Sequence, residues 1–491
     1  MTAQTPNILL FIADGLRAQS LDPDLQVVAP HIRNLAERGV EIHNAYTPLP
    51  TCSPARASLM TGLRPHNHGV LQVEHTVDSD QSVLRADKPH WAQRLQSAGY
   101  QTAYFGKWHV ERTLQLQDFG WEISHTLGRE GHRKTSAQGM VAESALDPAL
   151  SRYHQGPEGY NDTLHYGVSD EPLGQRPISR TTDAACAYLQ SAPSDRPWCC
   201  VASYYEPNEA MLVGREAYEH YEVEKLALPA NLRDDFSGRP KIYRRQQQIF
   251  AHLSAAQWRQ ALACYYGRIT EINVQLGRLL GVLEAKGFLE NTLVVFTSDH
   301  GKYVGSHGFE AHNFGPFEEI YNIPLIVAGP GVARGIATRA RVGFHDLCPT
   351  LLELAGAAPI QVPDSRSFVP LLHHPKGHEA CFRSGYAEYH GTRFPLAQRI
   401  YWEDEWKFVF NGFDFDELYN LDQDPAEMHN LASAPEQSER IRYMMGRIWE
   451  HLEATADRAL VNTHYYSMRF ACVGPNFTPA KAATGPDATG N

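Results

Sequence analysis

Two unbroken apolar runs of strand length limit the architecture of this chain most: NILLFIA at 7–13 and TLVVFTS at 292–298. A strand that shows one face to water alternates apolar with polar residues, whereas a run without alternation suits a strand covered on both faces, as in a parallel sheet between layers of helices. Between the two runs, Pro89 to Ala98 and Trp258 to Ala285 carry apolar residues at helical spacing, and Gly287 follows the second as a C-terminal glycine does. The alternation predicts an α/β fold with a mostly parallel central sheet flanked by helices.

The texture changes after Leu372. HHPKGHEA reads as a linker, RIYWEDEWKFVFNG as two β segments around an acidic turn, and Pro435 to Leu452 as a helix; the tail from Phe477 onward, rich in Ala, Thr, Gly and Pro, reads as mobile. With 491 residues, 43% of them hydrophobic, the chain can bury a full core. The expected organisation is a large domain over 1–374 and a smaller α+β domain with an antiparallel sheet over 375–491. No internal repeat is visible.

A formal net charge of −12 argues against a nucleic-acid backbone as partner, because phosphate binding needs a basic surface. The first apolar run has neither a basic region before it nor a small-residue cleavage site after it, so no secretory signal is read, and no segment approaches the length of a membrane span. The eight cysteines, at 52, 186, 199, 200, 264, 348, 381 and 472, form neither a metal-ligand spacing nor a dense disulfide framework. A cytoplasmic protein without membrane contact is the expectation, with a homo-oligomer left open.

Both apolar runs end in chemistry. Asp14 closes the first and is followed by Gly15; Asp299 and His300 close the second and are followed by Gly301. Ligands of open α/β sheets sit beyond the carboxyl ends of strands, so two carboxylates and an imidazole can converge there around a divalent cation. The plainer reading is that an Asp after a strand starts a turn. In TCSPARASLMTG (51–62), Cys52 precedes Pro54 and a helical stretch, which puts it at a helix N-terminus, where backbone N–H groups favour an anion. A cysteine by itself is more often an inert buried residue.

The segment Cys52-Ser53-Pro54-Ala55-Arg56 with Leu59-Met60-Thr61-Gly62 resembles the C-x-P-x-R signature of sulfatases, whose Cys is oxidised to formylglycine by a formylglycine-generating enzyme. Gly106-Lys107-Trp108-His109 is similar to the second sulfatase signature. NTLVVFTSDHG (291–301), EEIYNIPLIVAGPG (318–331) and DELYNLDQDPAEMHNLA (416–432) resemble further landmarks in the family's order.

The resemblance implies an alkaline-phosphatase-like fold and hydrolysis of a small-molecule sulfate or phosphate ester. In the family, hydrated formylglycine offers one hydroxyl to attack sulfur or phosphorus, and a second to expel the anion. Carried over residue by residue, Asp14, formylglycine from Cys52, Asp299 and His300 would bind one divalent cation. Arg56 would stabilise the formylglycine, and Lys107 and His109 would contact the diol and the transferring oxyanion.

The departures bear on metal and substrate. Many sulfatases have a second acid after the first Asp; here it is Gly15. Where a larger group has Asn after the later Asp, this chain has His300, which resembles the phosphonate monoester hydrolase and choline sulfatase branches. Ca²⁺ is the family's usual ion, while imidazole shifts the preference toward Mn²⁺. Asn208 stands where the family usually has a His that contacts the leaving group or anion. Asn313, with His312 beside it, aligns with the usual substrate-binding Lys. All three are candidate substrate contacts.

Among the remaining residues, His66 and His68 read as shaping a turn, with a pocket-lining role for His68 as the alternative, Cys348 as buried in a core helix within 344–356, and Lys302 as a surface or ion-pairing group. Three functions stay open: a sulfuric ester hydrolase, a phosphodiesterase or phosphonate monoester hydrolase with the same nucleophile, and a non-catalytic binding protein with a decayed site. Retention of Cys52, Pro54, Arg56 and the metal set argues against decay.

Overall fold

The computed structural model describes residues 5–478 except 26, 86, 127–145, 155, 157, 209, 393–395, 459 and 461–464. Its strands are β1 (Asn7–Asp14), β2 (Gly39–Tyr46), β3 (Gln101–Gly106), β4 (Ile123–Thr126), β5 (Arg152–His154), β6 (Thr163–Ser169), β7 (Trp198–Pro207), β8 (Met211–Gly214), β9 (Thr292–Ser298), β10 (Asn322–Ile323), β11 (Leu325–Ala328) and β12 (Ile336–Gly343). Toward the C-terminus follow β13 (Ser384–Tyr389), β14 (Gln398–Glu403), β15 (Trp406–Asn411) and β16 (Glu417–Asn420). The principal helices are α1 (Pro30–Glu37), α2 (Cys52–Thr61), α3 (Trp91–Ser97), α4 (Pro177–Ser191), α5 (Ala255–Ala285), α6 (Leu347–Leu354) and α7 (Ser438–Ala454).

The two apolar runs, β1 and β9, pair in parallel inside a nine-stranded sheet of order β10-β2-β11-β9-β1-β7-β3-β4, with β12 also on β2. Their lack of alternation has a direct cause. Leu9, Phe11 and Ala13 enter one core with α5, while Ile8, Leu10 and Ile12 enter a second core with α2, α3 and α6. Each fully buried Leu, Ile or Phe contributes about 1.5–3 kcal/mol, so a polar residue at either parity would be costly. The sheet is parallel except where β10 and β11 run antiparallel to β2, and β11 antiparallel to β9.

The C-terminal strands form a separate antiparallel sheet, β13-β14-β15-β16, and Asp404 and Glu405 make the acidic turn between β14 and β15. This sheet too is covered twice. Tyr401 and Phe408 pack on Met444, Met445 and Ile448 of α7, whereas Ile400, Trp402 and Val409 pack on Tyr46, Phe317 and Tyr321 of the larger unit.

Three features differ from the sequence reading. HHPKGHEA is not a plain linker: Pro375–His378 is a helical turn that Pro375 starts, and Glu379–Phe382 a 3-10 turn anchored by buried Phe382. A small sheet, β5-β6-β8, and the antiparallel β11 were not foreseen. The tail beyond residue 478 lies outside the described residues, while Phe477 is partly buried against the α7 core. Cys348 is buried in α6, and all eight cysteines are free thiols. Among the described residues no helix is long and apolar enough to cross a membrane.

Candidate active site

Strand register assembles the site. Ala13 of β1 stands opposite Ser298 of β9, so the next residues, Asp14 and Asp299, leave the sheet side by side at its carboxyl edge. On the other side of β1, β7 brings Ser203 and Asn208 to the same edge, and β3 pairs with β7 so that Gly106 lies against Ser203 and Lys107 follows. A Cβ on Gly106 would stand 2.0 Å from the Ser203 carbonyl oxygen, so only glycine allows this close approach. Helix α2 then points its first residue, Cys52, at the four strand ends, with Thr51 as N-cap and Pro54 in the first turn.

The side chains converge on Cys52. Its Sγ lies 3.1 Å from His300 Nε2, 3.9 Å from Asp14 Oδ1, 3.9 Å from His312 Nε2 and 4.0 Å from Asn208 Nδ2. His300 Nδ1 is 2.9 Å from the Gly301 carbonyl oxygen, which can only accept, so this nitrogen carries a proton and leaves Nε2, which faces the centre, as the nitrogen that could ligate an ion. Nε2 is 3.6 Å from both Asp14 Oδ1 and Asp299 Oδ1. One donor atom each from Asp14, Cys52, Asp299 and His300 lie within 4.8 Å of one another, all buried.

Two cations balance the two acids. Arg56, buried without any exposure, donates from Nε to Asp299 Oδ2 at 2.7 Å and approaches Asp14 Oδ2 at 3.4 Å, while Nη1 reaches Ser203 Oγ at 2.7 Å and the Lys107 carbonyl at 3.1 Å. Lys107 Nζ donates to Asp14 Oδ2 and lies over the Tyr205 ring. Burial by itself would raise the Asp14 carboxyl, but Lys107, His300 and Arg56 outweigh it and hold the group below its ordinary value. Burial, reinforced by Asp14 and Asp299 against the pull of Lys107 and Arg56, pushes the Cys52 thiol well up. An unmodified Cys52 is therefore a neutral thiol and a poor nucleophile.

Of the residues singled out from sequence, Asp14, Cys52, Arg56, Lys107, Asn208, Asp299, His300 and His312 come together. His312 also stacks on His300, with ring centroids 4.0 Å apart. Asn313 takes a left-handed backbone (φ 71°), and its carbonyl accepts from Tyr389 Oη at 2.6 Å. His312 lies on a loop closed by hydrogen bonds from Tyr303, Val304 and Gly305 N–H to the carbonyls of Ala311, Glu310 and Phe309. His109 has a positive φ of 50° and its Nε2 meets His75 Nδ1 at 3.2 Å, with Glu74 beside them.

Lys302 is not a surface group; it is fully buried and pairs with Glu310 at 3.0 Å. His68 bonds Ser58 Oγ at 2.9 Å and accepts from Val70 N–H at 3.1 Å, and burial lowers it to about 3, which suits a neutral turn-forming residue. His66 faces Glu388 of β13 at 2.8 Å. Ser203 escaped the sequence reading because its link to Arg56 crosses a long stretch of chain without a motif. Gly15 has φ 76°, and a Cβ there would meet Asn208 at 3.2 Å, so a side chain at this position would be strained and would have to push Asn208 aside.

Comparison with known proteins agrees with this geometry. The family model described as Sulfatase matches residues 6–357, and that of N-sulphoglucosamine sulphohydrolase, C-terminal, matches residues 305–454. The choline-sulfatase of Rhizobium meliloti (strain 1021) is 30% identical over 464 residues, covering 89% of this chain and 84% of that protein. Among solved structures, the phosphonate monoester hydrolase from Silicibacter pomeroyi superposes with a TM-score of 0.76 at 23% identity, over 93% of this chain and 96% of the other. BT4656, solved in complex with its substrate D-glucosamine-2-N,6-O-disulfate, gives 0.75 at 21% identity, over 93% and 99%. These last two likenesses speak for the fold.

Proposed function

This chain belongs to the sulfatase family, and from that membership we propose that it is a sulfuric ester hydrolase whose nucleophile is formylglycine made from Cys52 by a formylglycine-generating enzyme. The observation that carries the proposal is the convergence of two buried carboxylates, an imidazole lone pair and two cations on the first residue of α2. The Cys52 thiol stands where the diol oxygens of formylglycine would stand.

The donor set fits a divalent cation. Asp14, Asp299, His300 Nε2 and an oxygen of residue 52 would hold it: Ca²⁺ by family habit, with Mn²⁺ the alternative that the imidazole favours. When bound, such an ion lowers the pKa of the attacking hydroxyl. The protein's own groups do the rest. Arg56 fixes the two carboxylates, and Lys107 places an ammonium beside residue 52, where charge develops on the transferred group. Helix α2 directs its N-terminal N–H groups at the same spot. Asn208 and His312 flank residue 52, and His312 is the group able to donate a proton to a leaving oxygen. His109 and Asn313 would act farther out, on the oxyanion and the organic part of the ester.

A phosphodiester or phosphonate monoester hydrolase is the second reading. His300 in place of Asn is compatible with it, as it is with a choline sulfatase, and the fold is shared with a phosphonate monoester hydrolase. One panel of aryl sulfate, phosphate diester and phosphonate ester, run on protein from a host with the modifying enzyme, tests both readings. Peptide mass spectrometry on the same sample reads Cys52. Only unmodified cysteine in active protein would end the formylglycine mechanism, and a fully active Asp299→Ala variant would end the metal assignment.

A further inference from the structure

A second group of metal-ligating side chains lies outside the buried cluster. His109 Nε2 and His75 Nδ1 are 3.2 Å apart, His75 Nδ1 and Glu74 Oε1 3.5 Å, and His109 Nε2 and Glu74 Oε1 3.8 Å. A four-coordinate ion with N and O ligands at about 2.0–2.1 Å has ligand-to-ligand edges of roughly 3.3–3.4 Å. The three atoms therefore form a triangle of nearly that size. The His75 side chain is 35% exposed, so this edge of the triangle reaches solvent.

The surroundings prepare the set. Arg112 Nε stands 4.0 Å from Glu74 Oε2 while Oε1 faces the two imidazoles, and the rest of the guanidinium is used on the carbonyls of Glu74, Val77, Asp78, Ser79 and Gln81. Such outer partners orient first ligands. Glu74 N–H also reaches Ser53 Oγ at 3.5 Å, which ties the group to the turn that carries Cys52. His109 follows Lys107 by two residues, so the cluster joins both segments of the reaction site.

We propose that Glu74, His75 and His109 form a second metal site, specific for zinc-class divalent ions, whose occupation withdraws His109 from the substrate and slows turnover. Two imidazoles and one carboxylate suit Zn²⁺, Co²⁺ or Ni²⁺ and not Ca²⁺ or Mg²⁺, so the site does not compete for the ion of the buried cluster when that ion is calcium. The inhibitory half rests on the reading of His109 as an oxyanion contact. The metal-binding half does not.

The experiment uses the full chain with its catalytic cation in place. Co²⁺ is added to wild type, His75→Ala and Glu74→Gln, and the d–d absorption of four-coordinate cobalt is followed together with the number of cobalt ions retained per chain. Wild type should hold one more ion than either variant and bind it at least ~10-fold more tightly. Zn²⁺ should slow aryl sulfate turnover by wild type while leaving that of His75→Ala unaffected. Equal cobalt counts and spectra in the three proteins would overturn the site and leave a hydrogen-bonded histidine pair. Zinc inhibition of equal strength in wild type and His75→Ala would overturn the inhibitory half. Should His75→Ala fail to fold, judged by circular dichroism, Glu74→Gln decides alone. Wild-type turnover by His109→Ala would end the oxyanion reading, and the cobalt count would be untouched by it.

Discussion

Replacing Arg56 by Met keeps an unbranched stem as far as the position of Nε and removes every donor, so it tests what the guanidinium does. Asp14 keeps Lys107 as partner, and the loss falls mainly on Asp299. The remaining donors to Asp299, Gly15 N–H at 3.3 Å and His300 N–H at 2.9 Å, both serve Oδ1, so Oδ2 loses its one strong bond. Breaking a buried ion pair by removing one partner costs about 3–5 kcal/mol. With an unfolding entropy of roughly 2.1 cal/mol/K per residue, the chain of 491 residues gives about 1 kcal/mol/K, so Tm should fall by about 3–5 °C. Calorimetry on the metal-free protein reads this directly. Arg56→Lys should fall between the two, because it restores charge without the fork. In the double variant with Asp299→Asn the losses should not add, and the coupling should reach about 2 kcal/mol. A Tm change under about 1 °C for Arg56→Met, or strict additivity with Asp299→Asn, would refute the account of Arg56 as the cation that fixes the acidic pair.

Gly15→Asp, which introduces the second acid common in sulfatases, should destabilise the protein and weaken activity, because the left-handed backbone strains the side chain and the 3.2 Å approach makes it displace Asn208; a gain in metal affinity with unchanged Tm would contradict this. Burial raises Asp416 from 3.8 to about 7, so its contribution to stability is present in full below about pH 4 and is lost as the pH rises through about 7. Asp416→Asn should therefore raise Tm at pH 8 and leave it nearly unchanged at pH 4, as a thermal melt series will read. Asn208→His should accelerate alkyl esters more than aryl esters, because a poor leaving group gains most from protonation; an unchanged slope of log rate against leaving-group pKa would mean that His312 already serves as the acid.

What was legible in the sequence followed from local chemistry. The apolar runs at 7–13 and 292–298 became adjacent strands because both parities had to be buried, and the residues after them met because strand register carried them to one edge. The Cys52 segment declared its helix start through Pro54. What was hidden depends on long-range register. Strand β11 pairs antiparallel with β9 although nothing in LIVA distinguishes the two directions. His312 against Asn313 is a difference of one residue, which an alignment leaves open and the approach of His312 Nε2 to Cys52 Sγ at 3.9 Å decides. The meeting of His109 with Glu74 and His75 has no periodic pattern behind it.

The charges of the site narrow the choice of substrate further than the motifs do. Asp14 and Asp299 cancel Arg56 and Lys107, so with a neutral imidazole from His300 as ligand these groups carry no net charge before an ion is counted. A divalent ion makes it doubly positive. Family sites with the additional His and Lys carry up to two more positive charges near the ester; here these places hold Asn208 and, by alignment, Asn313, with His312 the nearest ionisable group. Each unit charge at about 4 Å is worth about 4 kcal/mol at an effective dielectric constant of 20, so the difference falls hardest on a doubly charged group. Sulfate monoesters, phosphate diesters and phosphonate monoesters each bring one negative charge to the reacting centre, whereas phosphate monoesters bring two. A site with fewer cations is thus matched to the singly charged esters as a class. On the proposed function it would discriminate against phosphate monoesters by charge, and the distinction among the singly charged esters would be left to the shape and polarity of the organic part.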